Sequence, residues 1–121
     1  MGLKSNIVLV GMPGSGKSTV GVILAKLLSF DFLDTDVLIQ SSQRRALQDI
    51  VDRDGHLALR TIEEDTLLSL DLQHHVIATG GSAVYSAAAM AHLAAIGTVV
   101  FLDVDLATLE GRVNNLATRG L

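Results

Sequence analysis

The chain predicts an α/β fold: three layers, with a central parallel sheet between helices. Three observations predict it. Short apolar, β-branched runs alternate with helical stretches along its 121 residues. Hydrophobic residues make up 49% and aromatics only 3%, an aliphatic composition that suits a sheet buried on both faces. A glycine-rich loop stands between the first apolar run and the first helical stretch. Strands alternating with helices imply parallel pairing with right-handed crossovers.

The elements follow in order. Asn6-Ile7-Val8-Leu9-Val10 reads as a buried strand. Val20, Ile23, Leu24, Leu27 and Leu28 recur at helical spacing, so the first helix is expected over about 17–29. Phe30-Asp31-Phe32-Leu33 forms a second strand ending at Asp34-Thr35-Asp36, and Val37, Leu38 and Ile39 begin a helix. Polar residues 41–45 suggest a break. Ala46, Leu47, Ile50 and Val51 continue an amphipathic stretch that Gly55 ends. Leu59, Ile62, Leu67, Leu68 and Leu70 mark a further helix, and Val76-Ile77-Ala78 a third strand. Ser86 reads as the N-cap of an alanine-rich helix to about residue 95, with Gly97 at its C-terminal cap. Thr98-Val99-Val100-Phe101-Leu102 is a fourth strand, and Asp103 or Asp105 caps a last helix to about residue 114.

The whole chain sets bounds. Its length fits one domain. A formal net charge of −4 without a basic, aromatic-bearing stripe argues against nucleic acid as a partner. There is no cysteine, hence no disulfide framework and no thiolate metal site. Mean hydropathy is +0.44, yet charges interrupt every apolar run before it can span a bilayer. The first five residues run straight into a strand and show no signal peptide, so a monomer in the cytoplasm without membrane partners is expected.

Gly11-Met12-Pro13-Gly14-Ser15-Gly16-Lys17-Ser18-Thr19 fits G-x-x-x-x-G-K-[ST], with a strand before it and a helix after it. Gly11, Gly14 and Gly16 let the backbone bring its N–H groups close to a polyphosphate, and the helix N-terminus points its positive end there. Lys17 is expected to reach the β- and γ-phosphates. The Ser18 hydroxyl is expected to ligate Mg²⁺, with Ser15 and Thr19 in the same anion site.

Ligands of such sheets bind outside the carboxyl ends of the strands, so Asp34, Asp36, Gly80 and Gly81 should share one edge with the loop. Strand three ends in Thr79 rather than the aspartate expected there, so Asp34 is the candidate to hold Mg²⁺ through its waters. Asp36 is the candidate to orient or deprotonate an acceptor hydroxyl. Alternatively, one of the pair simply caps the next helix. Arg60 has Glu63 and Glu64 at i+3 and i+4; it is either a surface ion pair or a fork for a substrate carboxylate. Thr79-Gly80-Gly81-Ser82 is either an ordinary turn or a close backbone approach to a ligand. Arg112 and Arg119 are either a solvated face or a lid delivering positive charge to a phosphoryl group. His74 and His75 face opposite ways on a strand and read as structural.

Gly11 to Thr19, Asp34-Thr35-Asp36, Leu59-Arg60 with Glu63, Ala78-Thr79-Gly80-Gly81, and Arg112 with Arg119 together resemble the shikimate kinases, in order and spacing, over nearly the whole chain. The resemblance implies a P-loop NTPase fold and ATP- and Mg²⁺-dependent phosphorylation of the shikimate 3-hydroxyl, a step toward aromatic amino acids. By position, Lys17 and Ser18 would serve phosphate and Mg²⁺, with Asp34 supporting the metal. Asp36, Arg60, Gly80, Gly81 and the neighbouring Ser82 would contact shikimate. Arg112 would lie against adenine, and Arg119 would be the lid arginine near the γ-phosphate.

Three positions depart from the family pattern: Ser82 stands for a third glycine, Leu59 for a phenylalanine and Gly120 for a proline. The resemblance also implies a stretch beyond Leu121, carrying a fifth strand, a terminal helix and another arginine for the acceptor carboxylate. Relative to the family, the single kinase domain 1–121 is therefore expected to be C-terminally incomplete, with four strands in the chain shown. Two rival readings remain: a kinase for another small acceptor such as gluconate, and a nucleotide-binding module that no longer catalyses. A GTPase-like switch lacks its guanine-reading Asn-Lys-x-Asp.

Overall fold

The structure, a computed structural model, describes residues 5–12 and 15–103. Four strands, β1 (Asn6–Gly11), β2 (Asp31–Asp34), β3 (His75–Ala78) and β4 (Gly97–Leu102), form one sheet in the order β2-β3-β1-β4. Every pairing is parallel, with Val8 opposite Ile77 and Val99, and Leu33 opposite Ile77. Consecutive β1 residues serve opposite faces. Val8 and Val10 join Ile77, Leu67 and Leu93 on one side; Leu9 joins Val76 and Ala25 on the other. Two separate cores on one continuous apolar strand are what a three-layer arrangement requires, and they explain why β1 shows no polar alternation.

Helix α1 (Lys17–Leu28) covers the Leu9 side. Its buried face is Gly21 and Ala25, with Val20 and Leu24 packed beside them, whereas Leu27 and Leu28 are exposed. The leucine spacing therefore identifies the helix but not its inner face. The small residues turn inward because they let the helix lie close to Leu9 and Phe32. Helices α4 (His56–Leu68) and α5 (Ala87–Ile96) cover the other side through Leu67, Ala89 and Leu93. Leu70, expected on the fourth helix, is buried just beyond its end.

Between β2 and α4 lie α2 (Thr35–Gln43) and α3 (Leu47–Asp54). Helix α2 starts at Thr35, two residues earlier than expected, because Asp34 caps it: Asp34 Oδ1 accepts from the Asp36 and Val37 amides at 2.9 and 3.2 Å. The polar break is real but short, with Arg44 in the left-handed region as α2 ends. An Arg45–Asp54 ion pair spans α3. Gly55 ends α3, and Ser86 caps α5 by accepting from the Ala89 amide at 3.1 Å. Gly97 donates to Leu93 O as expected of a cap, but its backbone is extended because it is also the first residue of β4. A single 3₁₀ turn, η1 (Ala83–Tyr85), which periodicity did not indicate, links β3 to α5. The last helix expected from Asp103 or Asp105 onward lies outside the described residues.

Asn6 pins the bottom of this assembly. Its side chain is 1% exposed; Nδ2 donates to Leu72 O at 2.7 Å and Ile96 O at 2.9 Å, and Oδ1 accepts from the His75 amide at 2.9 Å. It thereby joins β1 to the loop before β3 and to the end of α5. Asn6→Ala leaves these backbone groups without partners, so it should lower unfolding free energy by about 2–4 kcal/mol. Urea unfolding measures this; a loss below about 1 kcal/mol would mean that water replaces the amide at no net cost.

Candidate active site

The carboxyl ends of the strands open into a cleft of about 680 Å³. Its walls hold the loop and first turn of α1 (Met12, Gly16, Lys17, Ser18, Thr19), the end of β2 and first turn of α2 (Asp34, Asp36), Glu63 of α4, and Thr79 to Ser82 with Tyr85 after β3. These segments meet because parallel strands all end on the same edge.

The glycine loop enters α1 through Gly16, whose φ of 82° lies in the left-handed region that favours glycine. Lys17 is buried and folds back over the loop, its Nζ donating to Gly11 O at 2.9 Å and Met12 O at 3.0 Å and lying 3.5 Å from Ser15 Oγ. Burial pushes its pKa down; Asp36 and then Asp34 push it back up. The ammonium is thus anchored at the loop while its field falls on both aspartates. Ser15 is itself buried, and Ser18 and Thr19 are exposed on the cleft side.

Asp34 caps α2, one of the two uses that sequence left as alternatives, and still has an oxygen free to face the cleft. One carboxylate oxygen caps α2, and the other accepts from Ser18 Oγ at 2.5 Å. The hydroxyl and carboxylate proposed for the metal therefore already converge. Hard oxygen donors of this kind fit Mg²⁺, which keeps several waters and uses few protein ligands. Thr79, at the end of β3, is occupied elsewhere: its amide and hydroxyl both donate to Leu9 O, at 3.1 and 2.9 Å, holding β3 to β1.

Asp36 lies deeper. Burial is the first cause that raises its carboxyl pKa and the Asp34 charge the second, while Lys17 opposes them. Gly80 packs directly on it: a Cβ at Gly80 would sit 2.7 Å from Asp36 Oδ1. The glycine pair after β3 therefore touches the second aspartate after β2, which no reading of either motif alone reveals.

Glu63 is the residue that sequence reading undervalued. Helical spacing allows it an ion pair with Arg60 as one of two readings, yet the one ion pair among the described residues is Arg45–Asp54. Instead Glu63 lines the cleft, with Oε2 buried and without a hydrogen-bond partner. Its pKa is raised by burial first and by Asp36 second, with Arg60 opposing. Arg60 is exposed and lines a smaller adjoining cavity of about 100 Å³, with Glu63, Ser82 and Tyr85 forming walls common to both spaces. Gly14, Arg112 and Arg119 lie outside the described residues. His74 and His75 stand at the opposite end of β3; His74 meets the Phe30 ring edge-on, and His75 Nδ1 lies 2.9 Å from Gln73 O.

A parallel sheet whose first strand passes through a glycine loop into a helix bearing a buried lysine, with carboxylates after the second strand of the chain, defines a P-loop nucleotide-binding fold. The shikimate kinase family model matches residues 13–121. A shikimate kinase of Mycobacterium tuberculosis is 46% identical over 115 residues, covering 94% of this chain and 65% of the relative. One from Rippkaea orientalis is 40% identical over 117 residues, 96% of this chain and 62% of the relative. The solved structure of the Acinetobacter baumannii shikimate kinase in complex with shikimate superposes with a TM-score of 0.76 at 39% identity, covering 81% of this chain and 55% of that one. The chain belongs to the shikimate kinase family. It spans a little under two thirds of the length of these two relatives.

Proposed function

We propose that the chain transfers the γ-phosphoryl group of ATP to the 3-hydroxyl of shikimate. The observation that carries this reading is the single cleft in which Lys17, Ser18 and Asp34 face Asp36, Glu63 and Gly80. One wall suits a polyphosphate and the other a polyhydroxylated acceptor. Membership of the family supports the choice of acceptor.

In this reading the loop amides and Lys17 hold the phosphates, and the buried ammonium neutralises charge that grows on the transferring group. Ser18 and Asp34 would hold Mg²⁺, which when bound supplies charge neutralisation at the phosphates. Asp36 accepts the hydrogen bond of the attacking hydroxyl and takes its proton as the oxygen becomes bonded to phosphorus. The unpartnered Glu63 Oε2 accepts from a second hydroxyl of the acceptor. Arg60 receives the acceptor carboxylate, and the Gly80-Gly81-Ser82 backbone bounds the ring. Arg112 and Arg119 would serve adenine and the γ-phosphate. The same reading takes the partner to be a small molecule and the chain to be a cytoplasmic monomer; no helix among the described residues is long and apolar enough to cross a membrane.

The test is ADP release by this chain with ATP, Mg²⁺ and shikimate, beside gluconate and a no-acceptor control. Shikimate-dependent release is the expected result; release that is equal without acceptor would reject the reading. Within it, Gly80→Ala should lower turnover about tenfold or more, because the new methyl displaces the Asp36 carboxylate. Thermal stability should move by only a few degrees, since a carboxylate end can rotate away. Unchanged turnover would show that the position of Asp36 does not matter.

A further inference from the structure

Tyr85 is the last residue of η1, between two anchors. Ala83 is buried in the core beneath the turn, and Ser86 caps α5 while its Oγ donates to Glu64 Oε2 of α4 at 2.5 Å. Backbone bonds from the Tyr85 amide to Ser82 O (3.0 Å) and from the Ser86 amide to Ala83 O (3.2 Å) close the turn. The ring itself is 65% exposed, so the core does not need it. What it meets is Arg60: the guanidinium carbon lies over the ring, 5.5 Å from its centroid, within the range of a cation–π contact.

An exposed arginine is a flexible side chain, and freezing it when a ligand binds costs rotamer entropy. Here a ring borne on a hydrogen-bonded turn, in the wall shared by the cleft and its smaller annex, carries a guanidinium that lines the annex. Stacking uses the face of the guanidinium and leaves the N–H edge free for a planar oxyanion. We infer that Tyr85 is a positioning residue whose ring holds Arg60 ready for the acceptor carboxylate, and so sets affinity for a carboxylated acceptor without taking part in phosphoryl transfer. The identity of that acceptor rests on the function proposed above; the stack does not.

Steady-state kinetics of Tyr85→Ala and Tyr85→Phe test it. Tyr85→Ala should raise KM for shikimate about five- to tenfold, the size expected for loss of a partly exposed cation–π contact. Both kcat and KM for ATP should stay within about twofold, because binding energy common to ground and transition states appears in KM alone. Tyr85→Phe keeps the ring face and should behave as the wild type. Overturning results are an unchanged KM in Tyr85→Ala, or an equal loss in Tyr85→Phe, which would assign the effect to the hydroxyl. Tyr85 is the sole tyrosine and there is no tryptophan, so fluorescence excited beyond the phenylalanine absorption band reports its ring alone. In the free protein Arg60→Ala should change that emission, and shikimate should change it only when Arg60 is present. A wild type that neither binds nor phosphorylates shikimate would reject the proposed function while leaving the stack to the first of these spectra; identical emission in Arg60→Ala would reject the stack.

Discussion

Lys17→Ala should abolish shikimate-dependent ADP release, lowering it by about a thousandfold or more, which is roughly 4 kcal/mol of barrier. The size follows from where the ammonium sits. It is buried at the base of the cleft and fixed by two loop carbonyls at 2.9 and 3.0 Å, so no reorganisation is needed when charge builds on a phosphate. Preorganised charge of this kind acts in the transition state, which in phosphoryl transfer is loose and strongly anionic. The fold should persist. Removing the ammonium takes one donor from Gly11 O and one from Met12 O, which still accepts from the Ser15 amide at 3.2 Å, and it also relieves the burial that pushes the lysine pKa down. These effects oppose each other, and the melting temperature should change by a few degrees at most. Retained turnover in a folded variant would remove Lys17 from the phosphate site. An unfolded variant is recognised by its lost circular dichroism, and Lys17→Met, which keeps the packing, then carries the measurement.

The strand–loop–helix unit is legible in sequence because its parts are contiguous: glycines, lysine and hydroxyl lie within nine residues, and the flanking patterns differ in period. The placing of Asp34, Asp36 and Gly80 on one edge is legible for another reason, since parallel connectivity puts every strand's end on the same side. Contacts made across the fold are less so. Asn6 looks like the polar start of a strand, yet its partners lie 66 to 90 residues away. Glu63 reads as a helical neighbour of Arg60 because spacing along a helix says which side chains are near, not which one faces a cavity. Tyr85 carries no motif at all; the ring becomes meaningful only when the turn after β3 brings it beneath a side chain of α4. Asp34 shows the opposite limit. Capping and ligand support look like rival uses of one residue, but a carboxylate has two oxygens: one caps α2, and the other meets the Ser18 hydroxyl and so leaves the second use open.

Asp36→Asn should lower turnover about a hundredfold or more while leaving ATP affinity nearly unchanged, and it should make the protein more stable at neutral pH rather than less. The first part follows from the proposed role: an amide cannot take the proton of the attacking hydroxyl. The second follows from the direction of the pKa shift. Burial, and then the Asp34 charge, hold the Asp36 carboxyl above its ordinary value of 3.8, so the folded state binds this proton more tightly than the unfolded chain does. Stability from that proton is fully present below the ordinary value and is lost as pH rises through the raised one. Asparagine has no such loss, so variant and wild type should have similar stability in acid and diverge as pH rises. Glu63 moves with it, because the Asp36 charge is one cause of its own raised pKa; losing that charge lets Glu63 ionise more easily. The acid limb of the wild-type kcat/KM profile should accordingly lie above the ordinary carboxyl range, since the free site must release a tightly held proton before it acts as a base. Melting curves across pH and the kcat/KM profile measure the two halves independently. A variant that is slower and also less stable at every pH would mean that Asp36 is held by packing it needs. A slower and more stable variant would mark a carboxylate kept in place against its own electrostatic cost, as expected of a group retained for chemistry.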